Sequence, residues 1–161
     1  MRGQSFRETH VSDRDDAAFR RAWTVPPASG IYQEIDLALL DPADPDDRHL
    51  LILAEHPELD DAIQREAEEV EIGGLVFNPR MHIAIHEVVA NQLWENDPPE
   101  VWETARRLEA AGYERHEILH MLMSAVTEEL WHVLRAGRAY DPQRHRAALR
   151  ALPDSWERQR H

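Results

Sequence analysis

Cysteine is absent from this 161-residue chain, and so is lysine. Without thiols there is no disulfide, no thiolate nucleophile and no Cys-based zinc or iron–sulfur centre. Any metal must be held by imidazole nitrogen or carboxylate oxygen. All 18 basic residues are arginine, a bias that GC-rich coding explains without a functional reason. Positive charge is also scarce. Against those 18 stand 31 carboxylates, so the net charge is 18 − 31 = −13. That balance argues against a nucleic-acid binder working by phosphate neutralisation and against docking on an anionic membrane. Long apolar runs are missing too: no stretch approaches the roughly 18 residues of a transmembrane helix. Met1 to Arg21 is charged throughout and has no apolar segment, so no secretory signal is expected and the cytoplasm is the default compartment. What is present is 42% apolar residues in 18.7 kDa, enough for one core.

The punctuation predicts an all-α protein. Residues 1–30 read as a weakly ordered N-terminal segment, 31–152 as a single helical domain and 153–161 as a C-terminal tail. Ser12-Asp13 suits the cap of a short helix over Arg14–Trp23, stopped by Pro26-Pro27. The apolar stretch Ile31 to Leu40 is expected to be helical, and His56-Pro57-Glu58 opens another helix. Leu75-Val76-Phe77 is too short to assign to a strand. The second half is clearer, with three consecutive helices at about 79–95, 99–111 and 114–135. Asn78-Pro79 starts the first, Asn96-Asp97-Pro98-Pro99 separates it from the second, and Gly112 and Gly137 close the second and third. Asp141-Pro142 begins a last, basic helix to Leu152. Such an up-down-up trio makes its first and third helices parallel.

Chemistry concentrates in the ten histidines. His82 and His86 fall in the first helix of the trio, His116 and His120 in the third. Residues four apart lie on one helical face, so each pair can offer two imidazoles to one cation. Random placement of ten histidines gives only about 0.6 such pairs, so two are mildly unusual. Each pair occupies the first two turns of its helix, and parallel helices put both pairs at one end of the bundle. A four-histidine metal site of His82, His86, His116 and His120 is therefore expected. Burying imidazoles without partners beside Met81, Ile83, Ile85, Val88 and Val89 would be costly. The remaining histidines, His10, His49, His132, His145 and His161, read as surface residues, and the approach of His56 and Glu58 is left open.

Carboxylates extend the pattern. His116-Glu117-x-x-His120 is a literal H-E-x-x-H, which places Glu117 as candidate catalytic base, ligand or support of a ligand. Glu128 returns three turns later to nearly the same face and is a candidate fifth metal ligand. The donors suit a divalent transition metal, zinc first, with iron, nickel, manganese or copper as alternatives. Two other classes stay open. One is a non-catalytic acidic interaction module whose histidines pack together, with a protein partner or a second copy of the chain. The other is a zinc-dependent hydrolase, although no third zincin ligand and no strong preceding strand are evident. Nothing in the sequence marks a substrate pocket.

The ordered set His56-Pro57-Glu58, Asn78-Pro79 with His82 and His86, Gln92, Asp97-Pro98-Pro99, His116-Glu117 with His120-Met121, and Leu130-Trp131 resembles a bacterial family, domain of unknown function 1841. The resemblance spans about residues 48–135. The chain departs from the family pattern at Leu59-Asp60, where an aromatic residue and a histidine are usual, and at Asn91, where a glutamate is. The resemblance supports the layout and implies no known activity.

Overall fold

The computed structural model describes residues 16–161, which are mostly helical. The helix expected to begin at Ser12-Asp13 has its start outside the described residues. The chain divides into two compact units, one ending at Leu51 and the other beginning at Ile52.

In the first unit, helix α1 covers 16–24 and ends before Pro26-Pro27. The helix expected over Ile31–Leu40 does not form. Strands β1 (Ile31–Tyr32) and β2 (Ile35–Asp36) pair antiparallel instead, with Tyr32 opposite Ile35. Gln33 and Glu34 between them both adopt positive φ, 47° and 68°, which matches the twist of a two-residue hairpin turn. Asp36 then accepts a hydrogen bond from the Ala38 amide at 3.0 Å and starts a single 3-10 turn, Leu37–Leu39. Apolar richness alone suggests a helix there, whereas a left-handed pair and a mid-segment cap decide the backbone. Helix α2 (Pro45–Ala54) follows, its first turn capped by the Asp44 carboxylate at 2.8 Å from the Asp46 amide.

The second unit opens with a 3-10 turn at Pro57–Leu59 and short helix α3 (Asp60–Gln64). Strands β3 (Val70–Ile72) and β4 (Leu75–Phe77) form a hairpin across Gly73-Gly74. Both glycines have positive φ, 59° and 80°, which any other residue would adopt only with strain. The three predicted helices follow as α4 (Pro79–Glu95), α5 (Pro99–Ala110) and α6 (Arg115–Leu134). They start and stop for the reasons legible in the sequence. Asn78 accepts from the Met81 amide at 2.9 Å, Asn96 ends α4 in the left-handed region, and Gly112 takes φ +95° after α5. Helix α7 (Pro142–Arg150) is capped by Asp141, and a further helix, α8 (Asp154–Gln159), occupies the segment expected to be a tail.

Helices α4, α5 and α6 pack on one another, with α7 against α5 and α6. Val89 and Leu93, Val101 and Leu108, Ile118 and Met121, and Leu149 are fully or almost fully buried. Val88 and Leu134 are exposed. A second apolar cluster matters more for function. Ile52, Leu59, Ile83 and Ala90 pack together, with Leu53, Ile63, Val70, Ile72 and Phe77 around them. Burying a leucine stabilises by about 1.5–3 kcal/mol. Leu59, fully buried, thus anchors the His56–Leu59 turn beside α4, and the β3–β4 hairpin closes on the same cluster.

Candidate metal centre

Local sequence sets the register of each imidazole. With Asn78 as cap and Pro79 as first helical residue, His82 and His86 occupy the first two turns of α4 on one face. With Glu114 as the residue before α6, His116 and His120 do the same there. His56 stands off any helix interior, immediately after α2. Its Nδ1 lies 2.9 Å from the Ile52 carbonyl oxygen, which also accepts from the Glu55 amide at 3.1 Å at the end of α2. The carbonyl can only accept, so the proton is on Nδ1 and the Nε2 of neutral His56 presents a lone pair.

The imidazoles converge. Nε2 of His86 lies 3.0 Å from Nε2 of His56 and 3.2 Å from Nε2 of His120. His116 lies near them, its ring centroid 4.5 Å from that of His120, edge-on, and 5.1 Å from that of His56. One nitrogen from each of His56, His86, His116 and His120 falls within 4.8 Å of all the others. His56 and His86 are buried, and His116 and His120 partly so.

Protons alone do not satisfy this arrangement. The contact between His56 and His86 needs a hydrogen on Nε2 of His86, because His56 carries its own on Nδ1. That single hydrogen then has to serve the His120 contact as well, and a hydrogen on Nε2 of His120 would face it. A cation removes the conflict, because all the Nε2 lone pairs can point at it. The spacing is also suitable. Bonds of about 2.0–2.1 Å in a tetrahedral zinc site put ligand nitrogens roughly 3.3–3.4 Å apart, close to the 3.0 and 3.2 Å seen here.

Electrostatics favour the neutral form of several of these rings, the form that a cation requires. Burial, followed by repulsion from the neighbouring imidazoles, holds His82 down to about 4 and His120 down to about 3. His86 is pushed far below the ordinary histidine range for the same reasons. His116 is lowered by burial and by His56, with Glu55 pulling the other way. The Glu55 carboxylate receives Arg115 at 3.2 and 3.3 Å and stands 3.9 Å from Nδ1 of His116.

A cavity of about 800 Å³ adjoins the cluster, with His56, His82 and His120 in its wall. Another side is a stripe of α6, namely Met123, Ser124, Thr127, Glu128 and Trp131, which recur at three- and four-residue steps from His120 as one helix face requires. The β3–β4 hairpin supplies Ile72, Leu75, Val76 and Phe77, while Glu58, Trp156 and Gln159 complete the lining. Nothing in the amino-acid sequence marks this cavity. It is made by a hairpin and a C-terminal helix too short to be read from periodicity.

Three of the four expected ligands, His86, His116 and His120, are brought together with His56. His82 lies beside them, its ring centroid 4.8 Å from His86 and 4.8 Å from Phe77, outside the four-nitrogen group. Glu128 faces the cavity rather than that group. Glu117 binds Arg160 at 3.0 Å and belongs to neither. Of the expected surface histidines, His145 is buried, 2% exposed, and the expectation fails for it. It sits on the face of α7 that also buries Leu149, four residues on. His161 is exposed, His49 and His132 are intermediate, and His10 lies outside the described residues. The sequence signal for His56 was the His-Pro-Glu turn, which identifies an element start but not its neighbours.

No helix among the described residues is long and apolar enough to cross a membrane. A family model described as a domain of unknown function (DUF1841) matches residues 40–151. No curated protein and no solved structure matches the chain.

Proposed function

This chain belongs to the DUF1841 family, whose description assigns no activity, and from the chemistry of the site we propose that it binds a divalent transition metal through His56, His86, His116 and His120. The observation that carries this reading is Nε2 of His86, placed 3.0 and 3.2 Å from two other Nε2 atoms with one hydrogen to share between them. An all-imidazole donor set selects zinc first, with copper, nickel and iron next; manganese prefers oxygen donors.

The surrounding chain does what a metal site requires. The Ile52 carbonyl fixes the tautomer and orientation of His56, as outer partners of ligating histidines commonly do. Glu55 stands on the Nδ1 side of His116. Burial and mutual repulsion favour the neutral form of His86, His116 and His120. A bound divalent cation would supply Lewis acidity at the end of the cavity. Glu58 and His82, both in the cavity wall, are the groups available there to hold or move a proton. Glu117, the base that the H-E-x-x-H pattern suggests, acts in this reading through its tie to Arg160, linking the start of α6 to the end of α8. The cavity favours metal-dependent chemistry over a purely packed histidine cluster, because packing alone needs no adjoining space of this size.

The test is metal content of protein produced without a histidine tag, followed by zinc titration against a chelator of known affinity. One equivalent of metal, lost in His56→Ala and His86→Ala, is expected. Protein that neither retains nor takes up metal at neutral pH overturns the reading in favour of a packed cluster.

A further inference from the structure

The cavity has a chemical polarity of its own. At one end stand the imidazoles of His56, His82 and His120. From His120 the α6 wall runs to Glu128, eight residues on, and to Trp131. At 1.5 Å per residue these lie about 12 and 16 Å along the helix axis. The rest of the lining is mostly apolar, with the hairpin residues Leu75, Val76 and Phe77 and with Met123, beside the small polar side chains Ser124 and Thr127. Leu75, Val76 and Trp131 are 69%, 61% and 58% exposed, large apolar surfaces left facing solvent at a cavity wall. Exposed apolar area of this kind, concentrated in a concavity, marks a binding site. The volume of about 800 Å³ falls in the range of small-molecule pockets, about 300–1,000 Å³.

Charge narrows the occupant. Among the described residues, the lining carries two carboxyl side chains, Glu58 and Glu128, and no arginine. Nothing the chain itself places in this wall balances a phosphate or a carboxylate, whereas a cationic group is favoured.

We propose that this cavity binds an elongated small molecule with an apolar, aromatic-compatible body and a cationic amine that lies against Glu128, at the end remote from the imidazoles. The inference rests on the metal reading only for what lies at the imidazole end. The body and the amine are recognised by the chain's own side chains. Trp131 and Trp156 flank the body and report on it.

The experiment uses the full chain, once freed of metal by a chelator and once loaded with zinc. Three probes with the same body, 4-phenylbutylamine, 4-phenylbutanol and 4-phenylbutyrate, are titrated against tryptophan fluorescence. In the metal-free protein the amine is expected to bind most tightly and the carboxylate least. An exposed ion pair gives the amine about a two- to fivefold advantage over the alcohol, and Glu128→Gln should abolish that advantage. Filling the wall with Thr127→Trp, at an exposed helical position, should weaken all three probes by about tenfold or more. Met123→Trp should do the same where it folds with unchanged circular dichroism. Equal binding of the three probes, tightest binding of the carboxylate without metal, or full binding by folded Thr127→Trp overturns the inference. Zinc that fails to bind while the amine preference holds overturns the metal reading alone. Zinc that binds while no probe does overturns this inference alone.

Discussion

Replacing His86 by alanine removes the nitrogen that lies within 3.0 and 3.2 Å of two others, so it should uncouple metal from stability. The size of the effect follows from linkage. A ligand bound only by the folded state at 1,000 times its dissociation constant stabilises by about 4.1 kcal/mol, and at 100 times by about 2.7 kcal/mol. For a chain of this length each kcal/mol moves the melting temperature by roughly 2–4 °C. Saturating zinc should therefore raise the wild-type midpoint by about 8–16 °C. The three remaining imidazoles are spread over the turn before α3 and the start of α6. Loss of the one between them should cost at least the roughly 100-fold at the upper end of outer-shell losses. At the same zinc concentration His86→Ala would then keep no more than about 1.4 kcal/mol of stabilisation, or about 3–6 °C. The assay is differential scanning calorimetry of tag-free protein with zinc and with chelator. Only the zinc-dependent difference within each protein counts, because His86 is 4% exposed and truncation also leaves a hole that lowers the metal-free midpoint. His86→Gln, which fills more of that hole, should give the same small zinc shift. Equal zinc shifts in wild type and both variants, or none in wild type, would refute the reasoning.

The other outcomes concern neighbouring groups. His82→Ala should hold zinc within about tenfold of wild type by chelator competition, since its ring lies beside the four-nitrogen group; a loss as large as that of His86→Ala would make His82 a ligand. Glu117→Gln breaks a partly exposed tie to Arg160 and should cost less than about 1 kcal/mol in urea unfolding, with zinc affinity unchanged. A hundredfold weaker zinc site in that variant would instead put Glu117 at the metal. Metal-free protein should lose stability as pH falls below about 6.5, where unfolded histidines take protons, toward the folded values of about 4 for His82 and about 3 for His120. Above that window both states are neutral and these rings contribute no slope. Inside it each lowers stability by at most about 1.4 kcal/mol per pH unit, reduced by solvent screening because both rings are partly exposed. Urea midpoints at pH 8, 6 and 4 check the sign, and a slope unchanged in a His82→Gln, His120→Gln double variant would contradict it.

Local chemistry is enough to specify the helices α4, α5 and α6. Asn78-Pro79, Asn96 with Pro98-Pro99, and Gly112 act within a few residues of where they stand, so caps and breakers could be read one turn at a time. The same holds for the pairing of His82 with His86 and of His116 with His120, which needs only the helical repeat. The resemblance to the DUF1841 family likewise lay in an ordered run of short motifs. Tertiary packing decided which imidazoles meet. His56 reaches His86 across 30 residues, because Leu59 and Ile52 bury themselves against Ile83 and Ala90, and no spacing along the chain encodes that contact. The β1–β2 hairpin escaped because its backbone is set by two left-handed non-glycine residues rather than by periodicity. Glu117 and Glu128 show the same division. Both fall on the expected face of α6 by helical arithmetic, yet one meets Arg160 of the C-terminal segment and the other the cavity. A helix fixes the direction of a side chain, and only the elements packed around that helix fix what the side chain finds there.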